Sequence, residues 1–124
     1  MTFCPCGSGK IYEECCKKYI EGILAPPTAE ILMRSRYTAY TLGAVDYIIE
    51  THDPETVSDV ERESILAWSK SSKWKGLEIV KTKAGKVRDK KGTVEFKAHY
   101  INSERSHVHH EKSQFIKIKG RWYY

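Results

Sequence analysis

The sequence predicts an α+β protein, with about three helices packed on one face of a curved antiparallel sheet and a small metal-binding knuckle at the N-terminus. Three observations carry this. Apolar residues recur at three-and-four spacing up to Trp74, which is the helical period. After Gly76 the pattern changes to the two-residue alternation of strands. All four cysteines fall between Cys4 and Cys16. A run of helices followed by a run of strands is the α+β arrangement.

The knuckle comes first. Cys4-Pro5-Cys6-Gly7-Ser8-Gly9-Lys10 is followed by Cys15-Cys16. Four thiolates fill a tetrahedral zinc shell and leave no open position for a substrate, so Cys4, Cys6, Cys15 and Cys16 read as a structural site. Gly7 and Gly9 allow the tight turn that aims amides at sulfur. Lys10, Lys17 and Lys18 stand where they offset the negative charge of the thiolates. Residues 11–20 read as a short helix stopped at Gly22. Neighbouring helical residues point in different directions, so Cys15 and Cys16 ligate together only at a distorted helix start or with divergent rotamers.

Competing readings are weaker. Disulfides within Cys-x-Cys or Cys-Cys would be strained, and nothing in the chain signals an oxidising compartment. A redox dithiol would use Cys-x-x-Cys, which is absent. Gly7-Ser8-Gly9-Lys10 echoes a phosphate loop, but Cys4 stands where that pattern needs Gly, and Ile11 where it needs Ser or Thr. The block resembles the SEC-C motif, the zinc module named for the C-terminus of the SecA translocation ATPase. Many SEC-C modules end in His where this chain has Cys16. The resemblance covers about the first twenty residues and implies zinc. By analogy with SecA, where the module is a docking surface, it implies Lys10, Lys17, Lys18 and Tyr19 as partner contacts.

The composition sets wider bounds. A chain of 124 residues, 40% hydrophobic and 30% charged, suits an ordinary globular domain rather than a disordered one. There is no apolar run of about 18 residues, so no membrane span is expected. The N-terminus lacks signal-peptide features, and a cytoplasmic location is expected. A net charge of +5 raises nucleic acid as a partner beside protein. The densest basic cluster, Lys81, Lys83, Lys86, Arg88, Lys90 and Lys91, reads as a solvated hairpin.

Along the chain, Ala25-Pro26-Pro27 is a stiff break dividing a knuckle, 1–24, from a body, 25–124. Thr28 is a candidate N-cap, followed by Ala29, Leu32, Met33, Tyr37 and Tyr40 at helical spacing and a stop at Gly43. Val45, Ile48, Ile49 and His52 mark a second helix closed by Asp53-Pro54. Ser58-Asp59-Val60-Glu61 has the form of a capping box opening a third helix with Ile65, Leu66 and Trp68. Strands are expected at 77–82, 93–101, 108–119 and 122–124. The turns fall near Gly85 or Gly92, at Asn102-Ser103-Glu104, and at Gly120-Arg121. In the second strand Val94, Phe96, Ala98 and Tyr100 share one face, and Glu95, Lys97 and His99 the other.

A second resemblance spans the body. Thr28-Ala29-Glu30-Ile31-Leu32-Met33-Arg34-Ser35-Arg36-Tyr37-Thr38-Ala39-Tyr40, Thr51-His52-Asp53-Pro54, Glu111-Lys112-Ser113-Gln114-Phe115 and Gly120-Arg121-Trp122-Tyr123-Tyr124 resemble the YchJ family. The family implies a cone-shaped, nuclear-transport-factor-two-like (cystatin-like) fold, helices over a curved sheet enclosing a pocket. Members often carry a second SEC-C module, and this sequence is expected to do without one. The resemblance implies no particular activity.

Candidate pocket residues are Arg34 and Arg36 for an anion, Tyr37, Tyr40, Tyr47, Trp68 and Trp74 as walls, and Glu111. Apolar residues on both faces of the third strand suggest a bulge between Ser113 and Ile116 that turns Glu111 or His109 inward. His beside carboxylate can do acid–base work. The structural reading is favoured: Tyr and Trp at helical spacing are normally core, and Glu111 with Arg34 or Arg36 would be a buried ion pair tying helix to sheet. His107 with His109 is the only geometric histidine pair on that strand, and a weak metal site. No catalytic residue is assigned. The expected function is a non-enzymatic, zinc-binding docking module for a protein or nucleic-acid partner. The alternative is a small-ligand-binding protein or enzyme using the cone pocket.

Overall fold

The computed structural model describes residues 2–124. Helices α1 (Lys17–Ile20), α2 (Ala29–Leu42), α3 (Val45–Glu50) and α4 (Arg62–Ser71) precede strands β1 (Lys73–Ala84), β2 (Lys91–Asn102), β3 (Arg105–Ile118) and β4 (Arg121–Tyr123). The strands form one antiparallel sheet in the order β1-β2-β3-β4.

Helix α2 forms where its signals place it. Thr28 Oγ1 accepts the Ile31 amide at 3.1 Å, and Gly43 ends the helix in the left-handed region. Its buried residues, among them Leu32, Met33 and Tyr37, meet Val94, Phe96, Ala98 and Phe115 of the sheet in one core. The knuckle segment expected as one helix is instead two short turns, 3-10 at Tyr12–Glu14 and α at Lys17–Ile20. Cys15 between them leaves the helical region, with φ −122° and ψ −104°. That break lets two adjacent cysteines turn to one side.

The capping box does not form. Ser58 lies in a 3-10 turn, Val57–Asp59, and α4 starts at Arg62 with Glu61 as its N-cap. The Asp53 carbonyl collects the amides of Thr56 and Val57, and this local turn keeps Ser58 out of the helix start. Strand β1 begins at Lys73, ahead of Gly76, and its pairing shifts at Trp74/Gly76 and Ile79/Lys81. The expected bulge in β3 is absent, because β2 and β3 pair without a break from Lys91↔Ile116 to Asn102↔Arg105. Plain alternation already carries His109, Glu111, Ser113 and Phe115 to the concave face. Ile116 and Ile118 are apolar on the other face beside β4, where Ile116 pairs with Tyr123.

The last strand fastens the cone. Trp122 Nε1 donates to the Pro27 carbonyl at 3.1 Å. The Tyr124 amide donates to Thr51 O, and the Asp53 amide to Tyr124 O, each at 2.8 Å. Among the described residues, no helix is long and apolar enough to cross a membrane.

Candidate metal centre and pocket

A short turn gathers the cysteines. The Cys4 amide donates to Lys10 O at 2.8 Å and the Gly7 amide to Cys4 O at 3.2 Å, while Phe3 bridges to Ile11. Gly7 and Gly9 both adopt positive φ. The sulfurs of Cys4, Cys6, Cys15 and Cys16 all lie within 4.8 Å of one another, and all four cysteines are free. The Sγ–Sγ distances are 3.6 Å for Cys6–Cys15 and 3.9 Å for Cys15–Cys16. Thiolates at about 2.3 Å from one tetrahedral ion stand about 3.8 Å apart. The donor set therefore fits a metal ion.

Helix α2 supports the cluster from beneath. Thr38 Oγ1 donates to Cys16 Sγ at 3.3 Å and lies 3.6 Å from Cys4 Sγ. Arg34 Nη1 donates to Cys6 O at 2.7 Å, while its Nε holds Glu30 Oε2 at 3.0 Å. Ser8 Oγ stands 3.1 Å from Cys15 Sγ. A hydrogen bond from Cys16 pulls the Cys4 thiol down, and the same contact pushes Cys16 up. Beside the cluster a groove is lined by Lys10, Lys18, Tyr19 and Ile31 among others. Lys17 is outside this lining and pairs with Glu21 at 4.0 Å.

The opposite face of α2 lines a cavity of about 170 Å³ within the cone. Met33, Tyr37, Tyr40, Ile65, Trp68, Trp74 and Phe96 form most of its wall, with Arg36, His52, His109, Glu111 and Tyr124 as polar members. Tyr40, Trp68 and Trp74 contact one another at centroid distances of 5.2–5.7 Å. Arg36 is 4% exposed. Its Nη1 donates to Ile48 O at 2.7 Å and Thr51 Oγ1 at 2.6 Å. Its guanidinium carbon lies 4.4 Å from the Tyr124 ring centroid. Glu111 Oε2 accepts from Tyr124 at 2.8 Å and from Ser113. His109 Nε2 is 4.0 Å from Glu111 Oε1. Burial pushes the Tyr124 phenol up to about 12, helped by Glu111. Burial lowers the Arg36 and His52 pKa values.

The family model for the YchJ middle NTF2-like domain matches residues 28–124. This chain belongs to the YchJ family. The UPF0225 protein GSU1048 of Geobacter sulfurreducens is 44% identical over 123 residues, covering 99% of this chain and 76% of the relative. The solution structure of RPA3114, a SEC-C motif containing protein from Rhodopseudomonas palustris, superposes with a TM-score of 0.89 at 40% identity, covering 97% of this chain and 92% of that one. The crystal structure of a SEC-C motif containing protein from Psychrobacter arcticus gives 0.84 at 32% identity, over 97% and 78%.

In this YchJ-family chain the cavity brings together Arg36, Tyr37, Tyr40, Trp68, Trp74 and Glu111. Arg34 points to the other side of α2, against the knuckle. No ion pair joins Glu111 to either arginine among the described residues; Tyr124 stands between Glu111 and Arg36. Tyr47 is a core residue bonded to Ser35 at 2.6 Å. His99 and His110 sit on the convex face with Glu78 and Glu95. Thr38 and Tyr124 went unread as site residues. Thr38 carries one readable signal, its position one turn after Arg34 on the same helix face. Tyr124 carries none, because it follows a three-residue strand too short to show a period.

Proposed function

We propose that this protein is a non-enzymatic small-ligand-binding protein, with structural zinc in the four-cysteine knuckle and the ligand in the cone cavity. One observation carries the ligand reading: polar groups from α2, the segment after α3, β3 and the C-terminal segment converge on a half-open, largely aromatic cavity, the usual form of a ligand site. Binding is favoured over catalysis because Glu111 Oε2 is already held by two hydroxyls and His109 is beyond hydrogen-bond reach of Oε1. Zinc is favoured by the all-sulfur donor set. Native mass spectrometry of protein purified from cells tests both. One zinc per chain with a small molecule released on denaturation is the expected result. No metal in freshly reduced protein would remove the zinc assignment.

The groove beside the knuckle favours a second reading, docking of a protein partner at Lys10, Lys18 and Tyr19. Zinc without a co-purified small molecule would shift the balance toward docking. Charge reversal at Lys10 and Lys18 should then weaken the complex, and unchanged affinity would count against this surface.

A further inference from the structure

Arg36 is a buried cation with no carboxylate within salt-bridge distance among the described residues. Both of its hydrogen bonds run through Nη1 to neutral oxygens, leaving Nε and Nη2 without a partner among the described residues. The nearby anion, Glu111, is separated from it by Tyr124, whose ring lies under the guanidinium and whose hydroxyl donates to Oε2. A buried charge without a counter-ion is costly, and the guanidinium edge is a fork matched to a carboxylate. The cavity is the size of a single ring; an apolar cavity of about 150 Å³ holds benzene. Its walls are flat and apolar at Trp68, Trp74, Tyr40 and Phe96.

Resting on the ligand-pocket reading, we propose that the cavity binds a compact monocarboxylate with a flat, ring-sized apolar body. The carboxylate sits on Nε and Nη2 of Arg36, and the ring lies against Trp68, Trp74 and Phe96. Tyr124 stands between Glu111 and this seat, and two hydroxyls already hold Oε2. A dicarboxylate or phosphate ester would bring a second negative charge into a largely apolar cavity that also holds the Glu111 carboxylate.

The test is calorimetric titration of the zinc-loaded full chain with three probes of similar size: benzoate, benzamide and benzylammonium. Benzoate should bind at least about tenfold more tightly than benzamide, as expected for a charge-assisted bidentate contact against a neutral one. Benzylammonium should bind more weakly still. In NMR spectra benzoate should shift the indole N–H signals of Trp68 and Trp74 and leave that of Trp122 in place, since Trp122 lies outside the cavity lining. Arg36→Lys, which keeps the charge but loses the fork, should reduce benzoate affinity toward that of benzamide. Arg36 also ties α2 to α3, so the wild-type probe series stands even if this variant does not fold. Benzamide or benzylammonium binding as tightly as benzoate would overturn the carboxylate proposal while leaving the pocket reading in place. Failure of all three probes to bind would overturn the carboxylate proposal, and a small molecule that still co-purifies with the protein would leave the pocket reading in place.

Discussion

Thr38 shows how much one hydroxyl does at the cysteine cluster. It is fully buried, and its Oγ1 reaches two of the four sulfurs. A donor to a thiolate disperses the charge that metal binding gathers. Thr38→Val keeps the shape and removes the donor, so metal retention should fall about tenfold or more. Competition with a chromogenic chelator checks this, and Thr38→Ser should restore most of the loss. Tyr47 and Tyr124 give a second prediction at this scale. Burial raises both phenols from 10.0 to about 12. The native state therefore holds those protons more tightly than the unfolded chain does. The stability this contributes is full below pH 10.0 and is lost as the pH climbs through about 12. Urea midpoints should fall across that window, and Tyr47→Phe should make the fall less steep. Chain positions hid some roles and exposed others. The cysteine spacing declared the cluster at once, whereas Arg34 and Arg36 are two residues apart and serve opposite faces of α2.

Between elements, a close approach lies where the β1–β2 hairpin meets the start of α2. The Ala29 amide donates to Gly85 O at 2.9 Å. A Cβ on Gly85 would come 2.8 Å from Ala29 Cβ, and one on Gly92 would come 2.4 Å from Gly85 Cα. Backbone cannot yield as a side chain can, so Gly92→Ala should cost about 1–3 kcal/mol or more through overpacking. Thermal unfolding of the variant measures this, and an unchanged midpoint would mean the hairpin shifts freely. The elements themselves were mostly legible. Thr28 and Gly43 bracket α2 with a cap and a left-handed stop, and β2 alternates so cleanly that its inward face is plain. β3 misled because Ile116 and Ile118 look like a register shift, when they are apolar residues beside the short β4. Ser58 misled because the Asp53 turn competes locally for the same segment. Both errors arise where a neighbour distant in sequence, or a rival local hydrogen bond, overrides a short pattern.

At the scale of the molecule, α2 is the shared wall between cluster and cavity. Metal removal should release residues up to about Gly22 and leave the sheet folded, since the body keeps its own core. Hydrogen exchange after chelation checks this. Amides of Cys4 and Tyr12 should lose protection while those of Val94, Phe96 and Ala98 keep it. Loss of protection in β2 would show that the knuckle is part of the body's cooperative unit. The closing contacts of the cavity have a consequence in time as well as space. Trp122 reaches Pro27 across 95 positions, and Tyr124 locks onto Thr51 and Asp53. Contacts that distant cannot form until the late segment is available, and a chain is synthesised from its N-terminus. The four cysteines are complete once Cys16 has emerged, but the cavity has no floor until Tyr124 does. Every new chain thus passes through a stage in which its sulfur cluster can assemble while its aromatic wall still stands open to water.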